Sequence, residues 1–577
     1  MNALFASVEE RPDPTPCAIS SASPTSSLPR DLPRGCLLKI GPNGATPQDG
    51  WMDGDGLVHA ITLPPMNEQG DEDIMYSATY VDTKGRRLER EAANGKIFKG
   101  TLGAAPQGLP MLGNLFQNGL TFGTLDVQKD TCNTALAVSG SRILALMEQS
   151  PPSEIQMDKS GRMTTVESFT RLDGAIPFAP ISGGCLGAHG RTDPITGERV
   201  HVSYTSNAPP YVRIDTFAEN WKLQSSVGID VPSPVMVHDC ALTKNYVVIL
   251  DFPLTIRPER MFLQNKFPVE YEPQNGARIG LTPRGFDNDQ TLWFDVESGV
   301  VLHAIHAYER EEDGMVVLHA FKATPDGSSS FILEYTPSFL HEWVLDPTTG
   351  ETVSERCLNP NVMVEFPTCR SSPTGDRRSS SAYGLVSTSI GGPLRSFKTP
   401  TDGVLLDGVV KFALENDAER DLVVGDVASR FDLPNGWHLV SEPTAVAKVG
   451  GDGEYILLLA TYVPPGDDDD NKETYATIAT DGTSMKTQLL ILDGDCISNG
   501  PVTSVDLPYH VNYGLHSEFV SWDLMEGPAH EASGWTLPAH HEASASIQVP
   551  TAVISEPALQ YRARCCNKND LPHFTIF

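Results

Sequence analysis

The chain is 577 residues long and carries 42 basic against 74 acidic side chains, a formal net charge of −32. Such a surface repels phosphate backbones and anionic lipid headgroups, so nucleic acid is not an expected partner. Ten cysteines, of which only Cys565 and Cys566 are adjacent, with no CxxC pair, form neither a secreted disulfide framework nor a zinc ribbon, and they fit a reducing compartment.

Residues 1–34 are rich in Ser, Pro and Thr, bury little, and read as a flexible N-terminal leader. Glu9, Glu10 and Asp13 speak against a transit peptide. No run of about 18 apolar residues occurs, so no transmembrane segment is expected. The expected location is the cytoplasm, peripheral to a membrane, with a plastid location left open.

From residue 35 to 523 the chain alternates short β-like runs with turn signals. LLKI, HVSY, YVVILDF, VVLHAF, FILEY, DGVVKFAL, EYILLLATYV and TQLLILDG carry β-branched or aromatic residues bounded by Gly, Pro, Asp or Asn. YVVIL and YILLL are wholly apolar, so period alone leaves buried helix open, but their length favours strands. So many strands without an interdomain linker indicate one all-β unit, a β-propeller, although no WD or kelch repeat reveals the number of blades. Helical character is confined to TLGAAPQGLPMLGNLFQNGLTFG and ERMFLQNKF, expected as insertions capping one face. The acidic run Asp467 to Asp470 lacks the Gly and terminal Glu of an EF-hand and reads as a solvated loop. Residues 524–577 lose the strand pattern and form an appended tail of unknown role.

Four of the 15 histidines lie in short segments with strand or turn signals: GAHGRTDPITGE, MVHDCALTKNYVVILDF, VVLHAIHAYERE and YGLHSEF. They stand 49, 65 and 213 residues apart, and no local metal motif such as HExxH relates them. Only a fold that brings distant inner strands to one axis, as a propeller does, could unite them.

These segments, with IGPNG at 40–44, WMDGDGLVHA at 51–60, KDTCNT at 129–134, ALMEQ at 145–149, EFP at 365–367, SEP at 441–443 and NYGLHSEFV around His516, resemble in order the motifs of the carotenoid cleavage oxygenases. That family includes apocarotenoid and stilbene cleaving dioxygenases and a retinoid isomerase. The resemblance spans about residues 34–523 and implies a seven-bladed propeller with a loop and helix cap over the metal-bearing face. It also implies one iron(II) on His189, His238, His303 and His516. In HAIHAYE the ligand is then the first histidine, and His306 replaces the family's usual Asn. His59 matches a family position that is not a ligand and reads as a structural turn residue next to a tight turn at Asp53 to Gly56, and His510 is likewise left off the ligand list.

Four neutral imidazoles suit iron(II), leave its charge intact and leave two octahedral positions open for dioxygen. Metal-bound imidazoles usually donate their other N–H to a carboxylate. The resemblance places three such glutamates: Glu148 behind His238, Glu365 behind His303 and Glu442 behind His516, leaving His189 without one. The implied reaction adds dioxygen across one double bond of a carotenoid or apocarotenoid, giving two carbonyl fragments. No protein acid, base or nucleophile is needed beyond the iron centre.

The substrate would be an apolar polyene held in a dry tunnel. Peripheral membrane contact is expected through Leu109, Met111, Leu112, Leu115 and Phe116, or through Met261, Phe262 and Leu263, by apolar insertion. Stilbene-cleaving relatives carry Lys immediately before the first of these glutamates, where this chain has Met147, which favours a polyene over a phenol. The chain also has APQGLPMLG where the isomerase carries a cysteine-bearing PDPCK segment. A stilbene or styrenic alkene is the alternative substrate, and a non-catalytic or hydrolytic propeller is the alternative class.

Overall fold

The computed structural model describes residues 4, 7–44, 51–65, 73–92, 97–99, 108–122, 129–148, 150–172, 174–176, 185–285, 289–325, 336–369, 378–387, 406–464 and 485–525. They fall within a compact unit, Met1–Gly527, and the second unit, Pro528–Phe577, lies outside them. The expected runs at 331–335 (FILEY) and 467–470 also lie outside the described residues.

Seven antiparallel sheets of four to six strands form the blades of a propeller. Innermost in the first blade is Ser517–Ser521, followed outward by Gly35–Asn43, Asp55–Leu63, Met75–Tyr80 and Arg11–Pro16. The second to sixth blades begin on inner strands Ala135–Ser139, Gly190–Thr192, Cys240–Leu242, Val300–Glu309 and Glu365–Thr368. In the seventh, Trp437–Leu439 and Thr444–Ala447 both flank Glu454–Tyr462. Inner strands touch around the ring, as Gly190–Thr192 touches Cys240–Leu242, which in turn touches Val300–Glu309.

The core explains why the strands read as unbroken apolar runs. Every pair of successive blades encloses its own hydrophobic cluster, so most strands are buried on both faces. Tyr246–Asp251 sends Val247 and Ile249 toward the third blade and Val248 and Leu250 toward the fifth. That two-sided burial erases the alternation by which a half-buried strand is recognised.

Closure uses both chain ends. The late strand Ser517–Ser521 pairs with Gly35–Asn43 in the first blade, and the early strand Ala18–Ile19 pairs with Pro501–Asp506 in the seventh. The described part of residues 1–34 thus contributes strands to two blades, where composition alone suggests a flexible leader. Arg11–Pro16 pairs with Met75–Tyr80 as an outer edge strand, a place where proline's missing N–H costs no ladder bond. His59 also departs from expectation: it lies within strand Asp55–Leu63, fully buried, and not in a turn.

Both expected helical stretches contain helix, Leu109–Phe122 and the short Arg260–Leu263, and the two touch. Met111, Leu115 and Met261 join a cluster that includes Val300, three residues before His303. The helices thus cap the face on which the inner strands begin.

Candidate metal centre

The starts of four inner strands carry the four histidines. His189 immediately precedes Gly190–Thr192, His238 lies two residues before Cys240–Leu242, His303 is the fourth residue of Val300–Glu309, and His516 immediately precedes Ser517–Ser521. One potential ligand nitrogen from each lies within 4.8 Å of all the others. The His189 ring centroid is 4.4 Å from that of His238, 5.1 Å from that of His303 and 4.3 Å from that of His516. Imidazole nitrogens on opposite sides of a first-row cation, each at about 2.1 Å, are about 4.2 Å apart, so the cluster has the dimensions of a coordination shell.

Local packing fixes these segments. His189 sits in GAHG, and a Cβ at Gly190 would lie 2.3 Å from the His201 ring, whose Nδ1 is 2.8 Å from the Gly187 carbonyl. At Gly514, a Cβ would meet Lys39 Cε at 2.0 Å. The chain can therefore press against the first blade, where Leu515 donates to the Ile40 carbonyl at 3.1 Å and Ile40 donates back to the His516 carbonyl at 3.0 Å.

Three glutamates lie behind three of these rings. Nδ1 of His238 is 2.6 Å from Glu148 Oε1, that of His303 is 2.9 Å from Glu365 Oε2, and that of His516 is 3.0 Å from Glu442 Oε2. With each Nδ1–H donated to a carboxylate, each Nε2 is left with a free lone pair. The Nε2 atoms of His189 and His303 are buried and have no hydrogen-bond partner. Orphaned buried acceptors of this kind call for an occupant, and a divalent cation fits the donor set. Burial and then the neighbouring His516, His238, His303 and Arg191 push the His189 pKa well down, which keeps its ring neutral and able to ligate. For His303 burial acts in the same direction, but the Glu365 carboxylate outweighs it and the net shift is upward.

The three histidines left off the ligand list stand elsewhere. His306 stacks on Tyr308 at 5.5 Å and lies 5.1 Å from His319, His59 pairs through Nδ1 with the Tyr76 hydroxyl at 2.9 Å, and His510 belongs to no metal-ligating group among the described residues.

Sequence reasoning missed three features. Tyr204 donates its hydroxyl to Glu148. Arg191 and Asp239 pair between the His189 and His238 strands. The Phe366 ring lies 5.7 Å from both His303 and His516, on a residue held at φ 56°, a left-handed conformation that bulky residues rarely adopt. Of these only Asp239 carried a signal, its position next to His238.

Met147 is buried, and its sulfur accepts from the Thr131 hydroxyl. The apolar candidates divide. Leu109, Leu112, Phe116, Phe262 and Leu263 are exposed, together with Leu120, whereas Met111, Leu115 and Met261 are core residues. No described helix is long and apolar enough to cross a membrane.

Residues 5–521 match the family model described as retinal pigment epithelial membrane protein. The chain is 27% identical over 537 residues to a carotenoid 9,10(9',10')-cleavage dioxygenase 1 of Phaseolus vulgaris, covering 89% of each chain. It is 25% identical to an apocarotenoid-15,15'-oxygenase of Synechocystis, covering 86% of this chain and 91% of that one. Among solved structures, the Synechocystis apocarotenoid oxygenase shares the fold with a TM-score of 0.67 at 21% identity, covering 90% of this chain and 98% of that one. A lignostilbene dioxygenase of Pseudomonas brassicacearum does so with 0.66 at 19%, covering 90% and 97%.

Proposed function

Since the chain belongs to the carotenoid cleavage oxygenase family, we propose that it is an iron(II)-dependent dioxygenase that cleaves one double bond of a carotenoid or apocarotenoid into two carbonyl products. The observation that carries this reading is the convergence of four imidazoles, three of them backed by partly buried glutamates. Iron(II) bound there supplies the centre at which dioxygen is activated, and one alkene plus one dioxygen balances to two carbonyl compounds.

The protein's own contribution is positional. His189, His238, His303 and His516 are the proposed ligands, and Glu148, Glu365 and Glu442 hold three of their rings in tautomer and direction. The Phe366 ring lies against two of the histidines and helps to exclude water from them. At the position before Glu148, buried Met147 offers a polarizable apolar surface and no charge to meet a phenol, which supports a polyene over a stilbene. The exposed Leu109, Leu112, Phe116 and Leu120 of one helix, with Phe262 and Leu263 of the helix it touches, form the proposed docking patch through which a protein peripheral to a membrane would reach a lipid-dissolved substrate.

The test is metal content coupled to oxygen uptake. Protein loaded anaerobically with iron(II) is expected to retain one iron and to consume dioxygen with a polyene, and His238→Ala is expected to lose both. Calcium in place of iron, or no metal retained, would sink the reading in favour of a hydrolytic or non-catalytic propeller.

A further inference from the structure

One ion pair, with its carboxylate buried and its guanidinium partly exposed, joins the backbones of the three consecutive strands that carry His189, His238 and His303. Arg191 lies two residues after His189. Its Nε donates to the Cys240 carbonyl at 2.9 Å and to Asp239 Oδ1 at 3.2 Å, while its Nη2 donates to the Ala304 carbonyl at 2.8 Å and to Asp239 Oδ2. Asp239 immediately follows His238, and Ala304 immediately follows His303. Asp239 accepts in addition from the backbone N–H of Cys240 at 2.7 Å and of Ala304 at 2.9 Å. Both backbone polar groups of Ala304 are thus taken by the pair, one by each partner.

Asp239 is only 2% exposed, so the carboxylate and the guanidinium depend on each other. Such a pair is a weak source of net stability, because desolvation of Asp239 offsets much of the attraction, yet removing one partner is costly because it leaves a buried carboxylate unpaired. What it supplies here is fixed spacing: the fifth-blade strand cannot slide past the third and fourth without losing two hydrogen bonds next to His303. His516 is held separately, through Ile40 and Glu442.

We infer that Arg191 and Asp239 are positioning residues of the metal centre, a clamp that sets the separation of three of its four imidazoles and therefore its metal affinity and ligand field. The inference rests on the metal reading of the four histidines. The fold provides an internal control. Arg284 also bridges the third and fourth blades, donating to Asp193 at 2.7 Å and to the Thr243 carbonyl at 3.0 Å, but it contacts none of the residues that adjoin the histidines.

The experiment titrates the metal-free full-length chain with cobalt(II), reading affinity and the visible ligand-field spectrum alongside thermal unfolding. Arg191→Met is expected to weaken cobalt binding about 10- to 100-fold, the range typical of lost outer-sphere support, and to alter the spectrum. Arg191→Lys is expected to fall between the two, since a single ammonium cannot reproduce the fork. Arg284→Met is expected to lower the melting temperature and leave affinity and spectrum unchanged. Wild-type affinity and spectrum in Arg191→Met would overturn the clamp. If that variant does not fold, the isosteric Asp239→Asn replaces it, with the same loss expected and the same result overturning it. Failure of the wild-type chain to bind cobalt would instead refute the metal reading itself.

Discussion

Tyr204 donates its hydroxyl to Glu148 Oε2 while His238 Nδ1 holds Oε1 of the same carboxylate. Each oxygen has its own partner, so the carboxylate cannot rotate away from the imidazole. Tyr204→Phe keeps the ring in the cluster between the third and fourth blades and removes only that hydroxyl. It is expected to weaken iron(II) binding several-fold in a chelator competition, by less than the about 10- to 100-fold expected of Glu148→Gln. Equal affinity in Tyr204→Phe and wild type would show that His238 alone orients the carboxylate.

Lys39 is fully buried with no carboxylate partner among the described residues, and its amine donates to the Asn512 carbonyl at 2.8 Å. Burial lowers its pKa from the ordinary 10.5 to about 7. Between those values the unfolded chain binds a proton that the folded chain does not, so this group makes stability rise with pH across the window. Below pH 7 the amine is charged in both states and its desolvation cost is felt in full. Lys39→Met is therefore expected to melt above wild type, with the gap widest at and below pH 7 and narrowing toward pH 10. A gap that stays constant across a pH series of thermal melts would show that Lys39 remains charged in the fold.

The histidines illustrate what the residues alone reveal. Separations of 49, 65 and 213 residues carry no geometric information, and His189 stands out as a candidate ligand only through the motif around it. The propeller supplies the missing geometry by starting four inner strands at one axis. The glutamates were legible for the same reason, as parts of motifs, whereas Tyr204 lies in HVSY, where nothing distinguishes it from a core strand residue. Blade number follows only from the family resemblance, because burial on both faces removes strand periodicity, and the pairing of residues 11–16 was hidden by a proline-rich composition that ordinarily signals disorder. The clamp between Arg191 and Asp239 depends on blade adjacency, which no local pattern encodes.

Closure of the first blade by Ser517–Ser521 separates two truncations that differ by little in length. Ending the chain at Gly527 keeps that strand and removes nearly all of the appended tail proposed at 524–577, and this form is expected to melt with wild-type cooperativity and retain metal. Ending it at Gly514 removes both His516 and the innermost strand of the first blade, and this form is expected to be insoluble or to melt without cooperativity. Circular dichroism melts of the two forms decide it, and a cooperative transition in the shorter form would contradict closure by this strand.

The docking patch is apolar on a strongly acidic chain, so insertion rather than charge should govern binding. Replacing Phe116, Leu120 and Leu263 together by Ser is expected to abolish co-sedimentation with neutral phosphatidylcholine vesicles while leaving iron content unchanged. Wild-type binding that requires anionic lipid and disappears in salt would point to an electrostatic surface elsewhere.

The most direct measurement is mass spectrometry of the products formed by the iron(II)-loaded chain from separate carotenoid, apocarotenoid and resveratrol samples under isotopically labelled dioxygen. Paired carbonyl fragments from a polyene, carrying the label when trapped before exchange with water, are the expected result. Cleavage of resveratrol alone would move the substrate to the stilbenes, and intact substrates in every sample from a chain that retains iron would contradict the dioxygenase.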